Sequence, residues 1–214
     1  MSEMLDNICR EAAALSWIDW AATVTALVYV VLAARQYIWC WFWGMVSCSL
    51  WAYASFAFYQ LYLDALLQVF YVVMSAIGLY QWKYGGSGGG EAKIRRLSGE
   101  QHLFVLLAGG LLAYLFGYAF EQYTPAAATY WDATTTVFSV FATLMLVQKV
   151  LDNWLYWIVV DALYVWLYVS RGAWLFALLM VVYTVIALLA LLSWWKAYQA
   201  DVNNGNVGEQ NSAS

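Results

Sequence analysis

The stretch Leu66-Leu67-Gln68-Val69-Phe70-Tyr71 returns 112 residues later as Leu178-Leu179-Met180-Val181-Val182-Tyr183. Outward from it, Asp19-(x3)-Thr23 matches Asp132-(x3)-Thr136, Arg35 matches Lys149, Trp43 matches Trp157, and Trp82-Lys83 matches Trp195-Lys196. Residues 19–83 thus read as a first copy of residues 132–196, at an offset of 112 to 114. Any two apolar stretches look alike, but the spacing of polar and tryptophan landmarks is harder to reproduce by accident.

The copies are embedded in an unusually apolar chain. Of 214 residues, 65% are hydrophobic and 10% charged, against roughly 25% charged in a soluble domain. A soluble fold of this size has too little interior to hide that surface, so the chain reads as a polytopic membrane protein. Nucleic acid is not an expected partner: the net charge is −4 and the one dense basic run is Lys93-Ile94-Arg95-Arg96.

An apolar run of about 17–25 residues crosses a bilayer as a helix. Seven candidates follow: 17–34, 38–59, 61–82, 102–120, 131–148, 153–170 and 173–195. Around them lie an N-terminal segment (1–16), a glycine-rich linker (84–101), a loop (121–130) with the sole proline, Pro125, and a polar tail (197–214) expected to be disordered. The first 16 residues hold Glu3, Asp6, Glu11 and one base, Arg10, which does not resemble a cleavable signal. With the N-terminus outside, the inner side receives Arg35, Lys83, Lys93, Arg95, Arg96, Lys149 and Lys196, and the outer side only Arg10 and Arg171. Positive residues favour the inner side, so the N-terminus is expected outside and the C-terminus inside.

Each copy holds three spans (17–83 and 131–196), and two odd bundles joined directly would be inverted. Both copies carry their bases at equivalent joints, so both need one orientation, and the span at 102–120 supplies the missing crossing. The expected fold class is an all-α membrane protein with seven transmembrane helices in three-one-three parallel repeats, a plan used by secondary transporters. Gly109, Ala113 and Gly117 form a small-residue ridge on the linking helix for close packing, within or between protomers.

Polar side chains inside spans are costly, about 2.5–3.5 kcal/mol for an Asp at a helix centre, and should face a wet interior. Asn153, Trp157, Asp161, Tyr164 and Tyr168 share one face of the sixth span; Asp64, Gln68, Tyr71, Ser75 and Gly78 line the third; Asp132, Thr136, Ser139 and Thr143 mark the fifth. Asp19 and Asp132 also suit helix starts, and Thr or Ser hydroxyls often return to the backbone. Trp39, Trp82, Trp194 and Trp195 are expected in the interfacial belt. No phosphate-cradling G-x-x-x-x-G-K-[ST], no G-x-S-x-G and no H-E-x-x-H occurs. His102 stands alone and is expected to be solvated, while Cys9, Cys40 and Cys48 show no disulfide framework. No enzyme activity, cofactor or metal is expected.

Asn153-Trp154-Leu155-Tyr156-Trp157-Ile158-Val159-Val160-Asp161, preceded by Trp131-Asp132 and Lys149, resembles the second half of the PnuC vitamin transporters. Gln60-Leu61-Tyr62, Leu67-Gln68-Val69-Phe70, Gly78 and Trp82 resemble the first half, and the likeness spans residues 17–196. It implies a multi-pass carrier of the bacterial inner membrane, SWEET-like in fold and trimeric. Such carriers take up nicotinamide riboside by facilitated diffusion, and a cytosolic kinase traps the product. Relatives carrying thiamine, riboflavin or deoxynucleosides keep the vitamin open, and Asp161 and Cys40 stand where nicotinamide riboside carriers often have Asn.

Nicotinamide riboside and thiamine are both aromatic cations, which aromatic faces attract. The expected substrate-binding set is Trp43, Gln68, Tyr71, Thr136, Ser139, Asn153, Trp157, Asp161, Tyr164 and Tyr183. Gln68 and Asn153 would exchange hydrogen bonds with an amide or sugar, and Asp161 would neutralise the ligand's charge. Proton coupling through Asp161 is an alternative, as is a receptor or assembly subunit that transports nothing.

Overall fold

The computed structural model describes residues 2–123 and 129–212; Pro125 lies outside them. Among the described residues the regular structure is helical: α1 (Ser2–Ala14), α2 (Trp17–Ala34), α3 (Cys40–Ala57), α4 (Tyr62–Tyr84), α5 (Gly99–Tyr123), α6 (Thr129–Val147), α7 (Asn153–Ser170) and α8 (Trp174–Ser212). A helix stands at each of the seven expected positions. Five of them (α2, α4, α5, α6 and α8) are long and apolar enough to cross a membrane by length and composition.

Three boundaries depart from expectation. The N-terminal segment forms α1, which lies against α8. Glu11 accepts hydrogen bonds from the backbone N–H of Trp174 (3.1 Å) and Leu175 (2.8 Å), closing the open donors at the start of α8. At the other end, α8 continues to Ser212, beyond the Lys196 at which a polar tail was expected. The glycine run is not a free tether throughout: Gly86 N–H donates to Gly90 O (2.9 Å), and Gly88 takes φ 71°, which glycine adopts without steric cost.

Two helix triplets, α2–α4 and α6–α8, lie side by side, with α2 against α8 and α4 against α6. Helix α5 packs on α6. The ridge Gly109, Ala113 and Gly117 is buried there: a Cβ on Gly109 would come within 2.8 Å of Phe138, and one on Gly117 within 2.4 Å of Tyr130. The small residues therefore serve packing inside the chain.

Equivalent geometry recurs in the two triplets. Left-handed residues end the first helix of each, at Gln36 (φ 59°) and Lys149 (φ 55°), and precede the third, at Gln60 (φ 55°) and Gly172 (φ 73°). Tyr59 donates to Asp19 (2.6 Å), as Arg171 pairs with Asp132 (2.9 Å). Asp19 also completes a capping box with Ser16. Most telling is a crossed pair: Trp82 Nε1 donates to Leu146 O (3.0 Å), and Trp194 Nε1 donates to Ala33 O (3.2 Å).

Trp82 (2% exposed) and Trp194 (0%) are thus core residues, not the belt residues expected of them. The pairing of Trp82 with Trp195 was one residue out of register, which on a helix turns a side chain by about 100°. Trp194 occupies the equivalent position, and Trp195 is exposed with the Arg96 guanidinium 4.8 Å above its ring. Trp39 is exposed.

The linker and the joint at 148–152 meet as a short parallel bridge. Arg95 N–H donates to Lys149 O (3.2 Å) and Leu151 N–H to Arg95 O (2.9 Å). The buried Asp152 carboxylate accepts from Leu97 N–H (2.8 Å) and pairs with Arg96 (3.2 Å). Lys149 Nζ donates to Ala92 O (2.9 Å), and burial pushes its ammonium below the usual lysine range. His102 is not solvated as expected: it is partly buried, stacks on Tyr156 and meets the tyrosine hydroxyl through Nδ1 at 2.9 Å.

Candidate substrate cavity

Between the triplets lies a cavity of about 270 Å³, to which every helix of both triplets contributes and α5 does not. That volume sits just under the roughly 300–1,000 Å³ usual for ligand sites, so it suits one small molecule. The wall is aromatic: Tyr29 from α2, Trp41 and Trp51 from α3, Tyr71 from α4, Trp154 and Trp157 from α7, and Tyr183 from α8.

Helical spacing explains how these side chains converge. Trp154, Trp157 and Asp161 fall on one face of α7, and Trp41, Gly44 and Cys48 hold the corresponding places on α3, 113 residues earlier; all six line the cavity. Tyr71 and Tyr183 are a corresponding pair on α4 and α8, as are Ser75 and Ala187. Tight packing fixes the tryptophans. A Cβ on Gly78 would lie 2.5 Å from the Trp41 ring, so only glycine lets that indole seat. Trp41 meets Trp82 edge-on (5.3 Å, 87°) and Trp154 meets Trp194 likewise (5.7 Å, 77°).

The two sides of the wall differ chemically. Gly44 holds the place that Trp157 holds on α7, and the space beside it is taken by Tyr29 and Ser75, each 3.1 Å from where a Cβ would stand. Cys48 corresponds to Asp161, which puts the single acidic side chain of the wall on α7. Asp161 is 5% exposed, and no hydrogen bond reaches its carboxylate among the described residues. The indole nitrogens of Trp41 and Trp154, at corresponding places, are buried and have no hydrogen-bond partner among the described residues. Gln68 adds an amide and Thr143 a hydroxyl, although Thr143 donates to Ser139 O (2.9 Å). The cavity therefore offers ring faces, an amide, hydroxyls and one carboxylate, with no cation on its wall among the described residues.

Of the expected substrate-binding residues, Gln68, Tyr71, Trp157, Asp161 and Tyr183 are on this wall. The other five are not, and each has a local reason. Trp43 is partly buried edge-on against Phe42 (5.6 Å), because the match of Trp43 to Trp157 was one residue out and Gly44 holds that place. Asn153 is fully buried with its amide on Val150 O (2.6 Å), fastening the joint before α7. Ser139 donates to Thr135 O (2.7 Å) and lies against the hydroxyls of Tyr71 and Tyr164, one layer behind the cavity. Thr136 also neighbours Tyr164, which stacks on Tyr168 at 5.8 Å. Asp64 is bonded by Ser55.

Sequence reasoning missed Tyr29, Trp41, Cys48, Trp51 and Trp154 as wall residues. A repeat held at one offset of 113 through α3 and α7 would have exposed Trp41 and Cys48 from Trp154 and Asp161. Nothing in the local sequence marks Tyr29 or Trp51, which lie among other aromatics.

The nicotinamide mononucleotide transporter family model matches residues 16–196. The chain belongs to that family. It is 27% identical over 205 residues to the nicotinamide riboside transporter PnuC of Escherichia coli (strain K12), covering 84% of this chain and 85% of that protein. It is 29% identical over 156 residues to the protein of the same name from Neisseria mucosa, covering 69% of this chain and 58% of that one. The crystal structure of the vitamin B3 transporter PnuC superposes with a TM-score of 0.70 at 24% identity, over 92% of this chain and 90% of that one. The helical bundle described above is thus the fold of a multi-pass transporter family, and its central cavity sits between the two triplets.

Proposed function

We propose that the protein carries nicotinamide riboside across the bacterial inner membrane by facilitated diffusion, with a cytosolic kinase trapping the product. One observation carries the reading: an aromatic cavity between the triplets with a single unpaired carboxylate, Asp161. Nicotinamide riboside is a flat cation with an amide and ribose hydroxyls. Ring faces attract the cation by about 0.5–2 kcal/mol, Asp161 balances its charge, and the Gln68 amide meets its polar edge. The names of the relatives favour this vitamin over thiamine, whose cation suits the same features.

The transport reading takes α2–α8 as seven spans in three-one-three order, N-terminus outside and C-terminus inside, assembled as a homo-oligomer. Several features support parallel triplets. The crossed bonds Trp82 to Leu146 and Trp194 to Ala33 exchange when the triplets are exchanged, and both lie at the end bearing Arg35, Lys83 and Lys149. Inverted copies would separate such equivalents to opposite ends. The recurring left-handed residues point the same way.

Alternating access follows: the triplets rock about the ligand, and the cluster Trp41, Trp82, Trp194 and Trp154 closes the inner end. Purified protein in vesicles lacking the kinase tests this. Nicotinamide riboside should equilibrate without exceeding the outside concentration; uphill accumulation would remove facilitated diffusion. Binding without flux would make the protein a receptor.

A further inference from the structure

A second cavity, of about 500 Å³, lies apart from the first, between α4, α6 and the linker at the basic end. Its depth is apolar: Met74 and Ile77 from α4, Leu144 and Val147 from α6. Met74 is ten residues before the end of α4, so the cleft reaches about 15 Å along the helix. Ile77 is 46% exposed, so the cleft opens sideways toward whatever surrounds the bundle. Its rim carries Lys93 and Arg95, and no acidic residue is on its wall. The nearby Glu91 acts on Lys149.

The neighbouring bases are already engaged: Arg96 with Asp152, and Lys149 with Ala92 O and the Trp82 ring. Arg95 bonds Gln148, which leaves part of its guanidinium for a ligand. Lys93 is exposed and, among the described residues, makes no hydrogen bond or ion pair. Two cations over an apolar cleft that is open to the side match an amphiphile with an anionic head. We propose that this cleft binds an anionic phospholipid, its phosphate held by Lys93 and Arg95 and one acyl chain laid along Met74, Ile77 and Leu144. The inference rests on reading these helices as membrane spans, not on the identity of the vitamin.

Native mass spectrometry of the full chain, with phosphatidylglycerol or phosphatidylcholine added in equal amounts, tests it. The wild type should retain phosphatidylglycerol several-fold better, Lys93→Ala should lose most of that preference, and Lys93→Arg should keep it. The double variant Lys93→Ala/Arg95→Ala should abolish it while the melting temperature shows whether the fold persists. Equal retention of the two lipids, or an unchanged preference in both alanine variants, overturns the proposal. So does displacement of the lipid by inorganic phosphate that alone raises the melting temperature, which would make the cleft a free-anion site. A change of oligomer size with lipid retention intact would assign it to a second copy and also overturn it. Flux of nicotinamide riboside is measured separately, so loss of flux with lipid preference intact counts only against the transport reading.

Discussion

Trp82 and Trp194, from the last helices of the two triplets, meet with ring centroids 5.7 Å apart at 61°. Each also donates its indole N–H to the other triplet's first helix. Together they fasten the triplets below the cavity, at the end bearing Arg35, Lys83 and Lys149. Replacing either with Phe removes that bond and part of the ring, while Leu146 O keeps Lys149 N–H (2.9 Å) and Ala33 O keeps Gln36 N–H (3.0 Å), so the lost hydrogen bond costs about 0.5–1.5 kcal/mol. Trp82→Phe and Trp194→Phe should each lower the melting temperature in detergent. Each should also speed release on the inner side, read as faster counterflow in vesicles. Unchanged counterflow in both variants would show that these bonds do not gate the site.

Asp161 predicts charge selectivity. Asp161→Asn is nearly isosteric and removes the cavity's one negative charge. Close charge pairs couple by about 1.5–7 kcal/mol, so the affinity for nicotinamide riboside should fall about tenfold or more by calorimetry. A neutral nucleoside that binds at all should be little affected. Equal affinity in wild type and variant would exclude the carboxylate as counter-charge, and an unchanged pH dependence of flux would exclude proton coupling through it.

The glycines of α5 offer a paired test of packing. A Cβ at Gly109 would press to 2.8 Å from Phe138, whereas one at Gly110 would meet nothing within 4 Å. Gly109→Val should therefore destabilise by about 1–3 kcal/mol through overpacking. Gly110→Ala should be neutral or stabilising by up to about 1 kcal/mol through helix propensity. Thermal unfolding of the two variants distinguishes them, and similar losses would contradict the burial of this ridge against α6.

Alkaline stability should report on Tyr59. The hydrogen bond to Asp19, aided by burial and the carboxylate's charge, raises its hydroxyl from 10.0 to about 12. A raised folded-state value means the contribution is complete below pH 10 and is lost as pH rises toward 12. The wild type should lose melting temperature over that interval more steeply than Tyr59→Phe. Parallel curves would mean that the bond adds no pH-dependent stability.

The sequence could be read for helices because crossing a bilayer demands long apolar runs with internally satisfied backbones. Residues 17–34 and 153–170 coincide with α2 and α7 at both ends. Matching landmarks were also legible, since Asp19 and Asp132, or Tyr71 and Tyr183, keep nearly the same spacing. The site was only half legible. Asp161 and Gln68 stand out as polar residues in apolar helices, but Trp41 and Trp154 look like any other tryptophan. Asn153 looks like a ligand group although its amide is spent on Val150 O.

Composition and periodicity by themselves determined that this chain is made of long apolar helices. Those properties depend on transfer from water and on local spacing. Only the tertiary structure decided which aromatic rings share a cavity and that Trp82 and Trp194 belong to the core. It also decided that the linker pairs with the joint before α7. Each of these depends on helix rotation, where a one-residue slip of about 100° moves a side chain from a cavity wall to the exterior.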